Sequence, residues 1–160
     1  NIKLQLWDTC GQEAYRSLIT SFYRSSSLAI ITYSIDNEES FENLETWLND
    51  IRTQSNPDIK IILIGNKVDL EDRRAITKER GEEFSKQHKL DYFCETSAKT
   101  GFNAANLFAE AGKILYLEYM QKKDNLSRAN SISLTPYISG ENCPVIDDED
   151  EKPRKKGCCK

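Results

Sequence analysis

Two short apolar runs, Leu28–Tyr33 (LAIITY) and Ile59–Ile64 (IKIILI), constrain the fold of this chain more than any other feature. Both are dense in isoleucine, the pattern of strands buried on both faces. Ile2, Leu4 and Leu6 alternate with Lys3 and Gln5, which predicts another strand over 2–8 with one covered face. Tyr92–Cys94 predicts a shorter strand. Helical periodicity fills the intervals. Phe41, Leu44, Leu48 and Ile51 fall on one helix face, and Asp36 and Glu39 have capping-box spacing just before it. Thr77 is the expected N-cap of a helix over 78–88. Asn103 is the expected N-cap of a helix over 104–122, whose inward stripe would include Leu107, Phe108, Ala111, Ile114 and Leu115. Strands alternating with helices in this order imply an α/β fold, a parallel sheet with helices packed on both faces.

That pattern occupies residues 1–124, the expected folded domain. Residues 125–160 hold Ser, Asn, Pro and Gly with little periodicity and are expected to form a mobile tail. No run approaches the roughly 20 apolar residues of a spanning helix, and no signal peptide is expected. The five cysteines lack metal-ligand spacing, which disfavours a disulfide scaffold or a zinc finger and suits a reducing compartment. A net charge of −4 disfavours a generally basic nucleic-acid binder. The tail is polarised, with acids at Asp147–Glu151 followed by Lys152, Arg154, Lys155 and Lys156. His88, the single histidine, is expected at an exposed helix end.

Three segments follow the expected strands at their carboxyl ends, where parallel sheets bind ligands. In Trp7–Glu13 (WDTCGQE), Asp8 can hold Mg²⁺ through a water, Gly11 can bring a backbone N–H close to a phosphate, and Gln12 can orient an attacking water. In Asn66–Asp69 (NKVD), the Asp69 carboxylate can accept two N–H bonds from the Watson–Crick edge of guanine. Adenine has no matching donor pair. Asn66 can brace neighbouring loops and the Lys67 stem can lie along a base plane. In Glu95–Lys99 (ETSAK), small residues expose backbone N–H groups to a base carbonyl. Each segment alone is also an ordinary feature: a glycine turn, a surface turn, a helix cap. Three of them in this order argue against coincidence.

These segments resemble the small GTPases of the Ras superfamily, and specifically its Rab branch. Arg16-Ser17, Phe22-Tyr23-Arg24, Ser40-Phe41, Trp47-Leu48 and Leu63-Ile64-Gly65 are similar as well, and the likeness runs over about residues 2–120. Within the branch it is closest to the ER–Golgi and endosomal group. The resemblance implies the parallel-sheet fold of P-loop NTPases, with GTP or GDP and Mg²⁺ as cofactors. It assigns the metal-linked carboxylate to Asp8, the γ-phosphate amide to Gly11 and the water-orienting group to Gln12. It assigns guanine binding to Asn66, Lys67 and Asp69, with Ser97, Ala98 and Lys99 closing over the base. Residues 11–24 would be a nucleotide-sensitive switch whose Tyr15, Phe22 and Tyr23 form part of an effector surface. Cys10 stands where the family has Ala, and Ser25-Ser26-Ser27 replace a usual Gly/Ala-rich turn.

Cys158 and Cys159, next to the C-terminus, resemble the double prenylation site of the Rab branch. Two lipid chains anchor stably where one does not, and the nearby bases suit anionic headgroups. The implied partners are an exchange factor, a GTPase-activating protein, an extraction chaperone, a prenylation escort, effector proteins and a membrane surface, with no nucleic acid among them. The expected role is a GTP-hydrolysing switch in vesicle transport on the cytoplasmic face of Golgi, ER–Golgi or endosomal membranes. No Gly-x-x-x-x-Gly-Lys-Ser/Thr occurs in the sequence. The chain is therefore expected to be an N-terminally truncated form lacking the first strands, phosphate loop and first helix. The rival expectation is a non-hydrolysing interaction module unable to hold Mg·GTP.

Overall fold

A computed structural model describes residues 2–9 and 22–132, with side chains as far as Leu126. After a helical turn at 22–25 come β1 (Leu28–Ser34), α1 (Glu38–Glu42), α2 (Leu44–Gln54) and β2 (Lys60–Asn66). A 3₁₀ segment (Val68–Arg73), α3 (Lys78–Gln87), β3 (Tyr92–Glu95) and α4 (Ala104–Ile132) complete the order. The strands form a parallel sheet in the order β1-β2-β3, with Ile62 opposite Ile30 on one side and Tyr92 on the other. The α/β class is as the sequence implied.

β2 is the centre. Ile61 and Leu63 face a core built with Ile31, Tyr33, Ile35, Leu44, Leu48, Ile51, Ile76 and Phe84. Ile62 and Ile64 face the opposite core, with Leu107 and Ala111 of α4 and the half-buried Ile114. A strand covered on both sides must be apolar at every position, which accounts for its composition. β1 differs from expectation. Among the described residues it lies at the sheet edge, with only Ile31 and Tyr33 buried, and Thr32 is exposed.

The helix stripe beginning at Phe41 buries Phe41, Leu44, Leu48 and Ile51 as the periodicity requires, but the helix is broken at Asn43. Its cap is Asn37 rather than Asp36. Asn37 Oδ1 accepts from Ser40 N at 2.9 Å, whereas Asp36 is taken by the Ser34 hydroxyl and by Lys67 Nζ. Thr77 caps α3 as expected, accepting from Arg80 N. Asn103 precedes α4, yet its side chain donates to Glu95 O at 2.9 Å and ties the helix start to β3. Its φ of 58° is a left-handed conformation that asparagine tolerates.

Other departures follow from what each segment has to pair with. Residues 2–9 form no strand, and Ile2, Leu6 and Trp7 are 51, 62 and 61% exposed. Alternation supplies an apolar face, but a strand also needs a neighbour for its N–H and C=O groups. α4 runs to Ile132, ten residues beyond the expected helix end at 122. No Gly or Pro falls between Tyr116 and Ile132, so nothing in that stretch stops the helix. On α4, Phe108 is exposed instead of joining the inward stripe. His88 is half-buried, its ring 4.2 Å from that of Phe84. Among the described residues no helix is long and apolar enough to cross a membrane.

Gly81 lies inside α3 directly over Tyr33. A Cβ there would sit 2.5 Å from Tyr33 Oη and 2.7 Å from Phe93 Cζ. Alanine favours an open helix over glycine by about 1 kcal/mol, but overpacking a filled core costs about 1–3 kcal/mol. The overlap is backed by two aromatic rings, so the packing cost wins. Gly81→Ala is expected to lower stability by roughly 1–2 kcal/mol in urea unfolding; an increase would show that the rings can move aside.

Candidate functional site

The ladder between β2 and β3 ends at Gly65 and Glu95, and Thr96 N donates to Gly65 O at 2.9 Å. Parallel pairing makes both strands exit at the same end, so the two loops that follow lie side by side. Asn66 joins them. Its Oδ1 accepts from the Ala98 amide at 3.1 Å and from the Thr96 hydroxyl at 3.3 Å. Val68 N donates to Thr96 O at 3.2 Å. Asn66 is thus the brace that its position suggested.

Lys67 turns the chain. Its φ of 70° places a non-glycine residue in the left-handed region, at a cost of about 1–2 kcal/mol. The bonds at Asn66 and Val68 on either side hold it there. Leu70 N donates to Lys67 O at 2.8 Å, closing the turn that begins the 3₁₀ segment and carries Asp69. The Lys67 ammonium reaches Asp36 Oδ1 at 3.5 Å, and its side chain is half exposed.

Asp69 and Ser97 form the centre of the cluster. Ser97 is fully buried, and its hydroxyl donates to Asp69 Oδ1 at 2.5 Å. Ser97 Oγ in turn accepts from Thr100 N at 3.1 Å, which leaves the hydroxyl proton for the carboxylate. Lys99 Nζ stands 3.7 Å from Asp69 Oδ2. The Ser97 hydrogen bond, aided by the backbone and by Lys99, holds the Asp69 carboxyl below the usual carboxylate range against the opposing effect of desolvation. An ionised carboxylate offers about four lone-pair positions. Ser97 and Lys99 engage one oxygen each, so Asp69 keeps the capacity to accept a pair of further N–H donors.

All of Asn66, Lys67, Asp69, Ser97, Ala98 and Lys99 therefore meet at one end of the sheet. The Ala98 amide is engaged by Asn66, so donation to a ligand carbonyl requires that bond to exchange. Asp8 lies in the segment 2–9, outside any ladder. Gly11, Gln12, Cys158 and Cys159 lie outside the described residues, as do Cys10 and Tyr15. Phe22 and Tyr23 are half-buried, with the Trp7 and Phe22 rings 5.2 Å apart and Tyr23 packed against the core. Among the described residues no group of three or more His, Cys, Asp or Glu could hold a metal ion. The described residues fit the base end of a nucleotide and do not by themselves build a Mg²⁺ site.

Sequence reasoning missed the supports of this cluster. Asp36 holds Lys67, Asn103 holds the Glu95 carbonyl, and Arg74 spans Glu71 and Glu95. The i, i+3 spacing of Glu71 and Arg74 was the one local signal of the last of these.

The sequence model of the Ras family matches residues 1–116. The chain belongs to the Ras family. Its parallel sheet with helices on both faces is that of the small GTPases, GTP-hydrolysing switches that in general bind GTP or GDP with Mg²⁺ and work with exchange factors, activating proteins and effectors. In this Ras-family chain the asparagine–lysine–aspartate turn and the serine–alanine–lysine loop form one hydrogen-bonded unit.

The lowered Asp69 pKa carries a sign. A carboxyl that titrates lower in the folded chain than in the unfolded one favours folding above the unfolded value, and that contribution fades as pH falls through the folded value. Ser97→Ala removes the principal cause. Carbon-detected NMR titration of Asp69 is expected to show its midpoint rising toward the ordinary carboxylate range in that variant, with less stability lost between neutral and acid pH. An unmoved midpoint would remove Ser97 as the cause.

Proposed function

We propose that this Ras-family chain reads guanine through Asp69 and belongs to the Rab branch, as a GTP-dependent switch of vesicle-mediated transport. The observation that carries the base-reading role is the convergence of Asp69, Ser97, Asn66 and Ala98 at the shared exit of β2 and β3. An ionised carboxylate accepts the N1–H and N2–H donors of guanine as a pair. Adenine presents an acceptor at N1 and so leaves the carboxylate short of a donor, a loss that falls on a partly buried charge. Lys67, set by its left-handed turn, lines the base plane, and Lys99 neutralises the carboxylate from the other side.

The Rab assignment is supported by the residues themselves: Trp7–Glu13, Phe22-Tyr23-Arg24, Ser40-Phe41 and the paired Cys158 and Cys159. On this reading Asp8 links to Mg²⁺ through water, Gly11 meets the γ-phosphate and Gln12 orients the attacking water. Cys158 and Cys159 carry prenyl groups, added once an escort presents the tail and masked by an extraction chaperone. They anchor the switch to the cytoplasmic face of Golgi, ER–Golgi or endosomal membranes.

Guanosine and adenosine, the nucleosides alone, test the base end separately from any phosphate contact. In NMR titrations of the full chain at millimolar nucleoside, guanosine is expected to shift the amides of residues 66–69 and 96–99, and adenosine to leave them in place. Asp69→Asn is expected to exchange that preference for xanthosine, with discrimination on the order of 10²-fold or more, since a built hydrogen-bonding site rejects a mismatched partner strongly. Equal responses to guanosine and adenosine would end the base-reading proposal.

A further inference from the structure

We propose that Arg74 is the positioning residue of the base-reading site: it clamps the turn that carries Asp69 onto Glu95 at the end of β3, and so keeps the Asp69 carboxylate in register with Ser97. The inference rests on the reading of Asp69 just given, but its geometry can be tested without a ligand.

Arg74 follows the 3₁₀ segment that begins one residue before Asp69, and Glu95 precedes Ser97 by two residues. The guanidinium therefore joins the two stretches whose side chains must meet. Nη1 donates to Glu95 Oε1 at 2.6 Å and to Ile76 O at 2.9 Å. Nη2 donates to Glu95 Oε2 at 3.0 Å and to Glu71 Oε2 at 2.8 Å, and Nε donates to Glu71 Oε1 at 2.8 Å. All five N–H donors of the guanidinium are thus committed in a fixed plane. The facing Arg74 and Glu95 side chains are 17 and 12% exposed, so water screens this pair less than an ordinary surface pair. The paired carboxylates hold the Arg74 guanidinium charged well above its ordinary range, with the Glu71 bonds the largest cause and the Glu95 bonds next.

The other end of the clamp is fixed as well. Asn103 Nδ2 donates to Glu95 O, and Gly65 pairs with Glu95 in the last rung of the ladder. The amides of Ala75 and Ile76, beside Arg74, both donate to Ile35 O just past β1, at 2.8 and 3.0 Å. The Asp69 turn is therefore held by Val68 N–H on its leading side and by Arg74 on its trailing side, against the same strand end. A bond as short as the 2.5 Å contact from Ser97 to Asp69 does not survive a displacement of that turn by about 1 Å. Lysine cannot take the place of Arg74, because a single ammonium cannot span two carboxylates and a carbonyl with a planar fork.

The test uses Arg74→Gln in the full chain. Its readouts are the NMR titration of the Asp69 carboxyl and hydrogen exchange at the Thr100 amide, which bonds to Ser97 Oγ. The expected result is a cooperative unfolding transition that persists, an Asp69 midpoint raised toward that of Ser97→Ala, and Thr100 exchange at least 10-fold faster. Ile62→Val in the opposite core is the control for general destabilisation and should move neither. A wild-type Asp69 midpoint and wild-type Thr100 exchange in Arg74→Gln would overturn the proposal. Should Arg74→Gln fail to fold, Arg74→Lys decides instead, since it keeps the charge and loses the fork: a raised Asp69 midpoint supports the clamp and an unchanged one overturns it. Guanosine titration of the same variants separates the two readings. Loss of Asp69 positioning with wild-type guanosine selectivity intact would remove the base-reading role of Asp69 and leave the clamp standing. Absence of guanosine selectivity in the wild type would do the same.

Discussion

Every element of this structure is arranged around β2, a strand that buries both of its faces. Ile61 and Leu63 on one side and Ile62 and Ile64 on the other each contribute about 2 kcal/mol of apolar burial. Because both cores share this strand, α2 and α3 must cover one face and α4 the other. Pairing β2 in parallel with β1 and β3 then sends every strand out of the sheet at the same end. The polar residues that follow β2 and β3 have no choice but to meet.

At that end the balance of forces changes from burial to hydrogen bonding. Asn66 with Ala98 and Thr96, the Val68 amide with Thr96, and Asp69 with Ser97 join two loops that would otherwise be free to separate. The left-handed backbone of Lys67 is tolerated because bonds on both of its sides fix the turn. Ser97 has no freedom either: Thr100 N–H occupies its acceptor side and leaves its proton to Asp69. The carboxylate is thereby charged, oriented and only partly committed before any ligand arrives. Preorganisation of this kind gives hydrogen-bonding sites their discrimination, since the misfit partner meets a group that cannot relax away.

Much of this was legible in the chain. Isoleucine density marked β1 and β2, the Phe41–Ile51 periodicity marked the covered face, and Thr77 marked the start of α3. The residues that converge at the shared strand exit were also legible, since Asn66–Asp69 and Ser97–Lys99 follow strands that the hydrophobic pattern locates. The errors share a cause. Alternation at Ile2, Leu4 and Leu6 was a sound local signal for a strand, yet a strand is completed by a neighbour, and local pattern does not name one. Asp36 and Asn37 are both good caps; Ser34 and Lys67 drew Asp36 away and left the helix start to Asn37. Asn103 had a capping oxygen, but that oxygen accepts from the Asn106 side chain while Nδ2 donates to Glu95 O.

What the sequence determined by itself was the alternation of strand and helix, the two-sided burial of β2 and the chemistry available where its strands end, because these depend on spacings of a few residues along one chain. Only the tertiary structure decided which polar group answers which. The spacing of Glu71 and Arg74 is local, but only the folded chain brings Glu95, 21 positions away, against the same guanidinium. Long-range pairing of charges is set by where the sheet places strand ends. No local period encodes that.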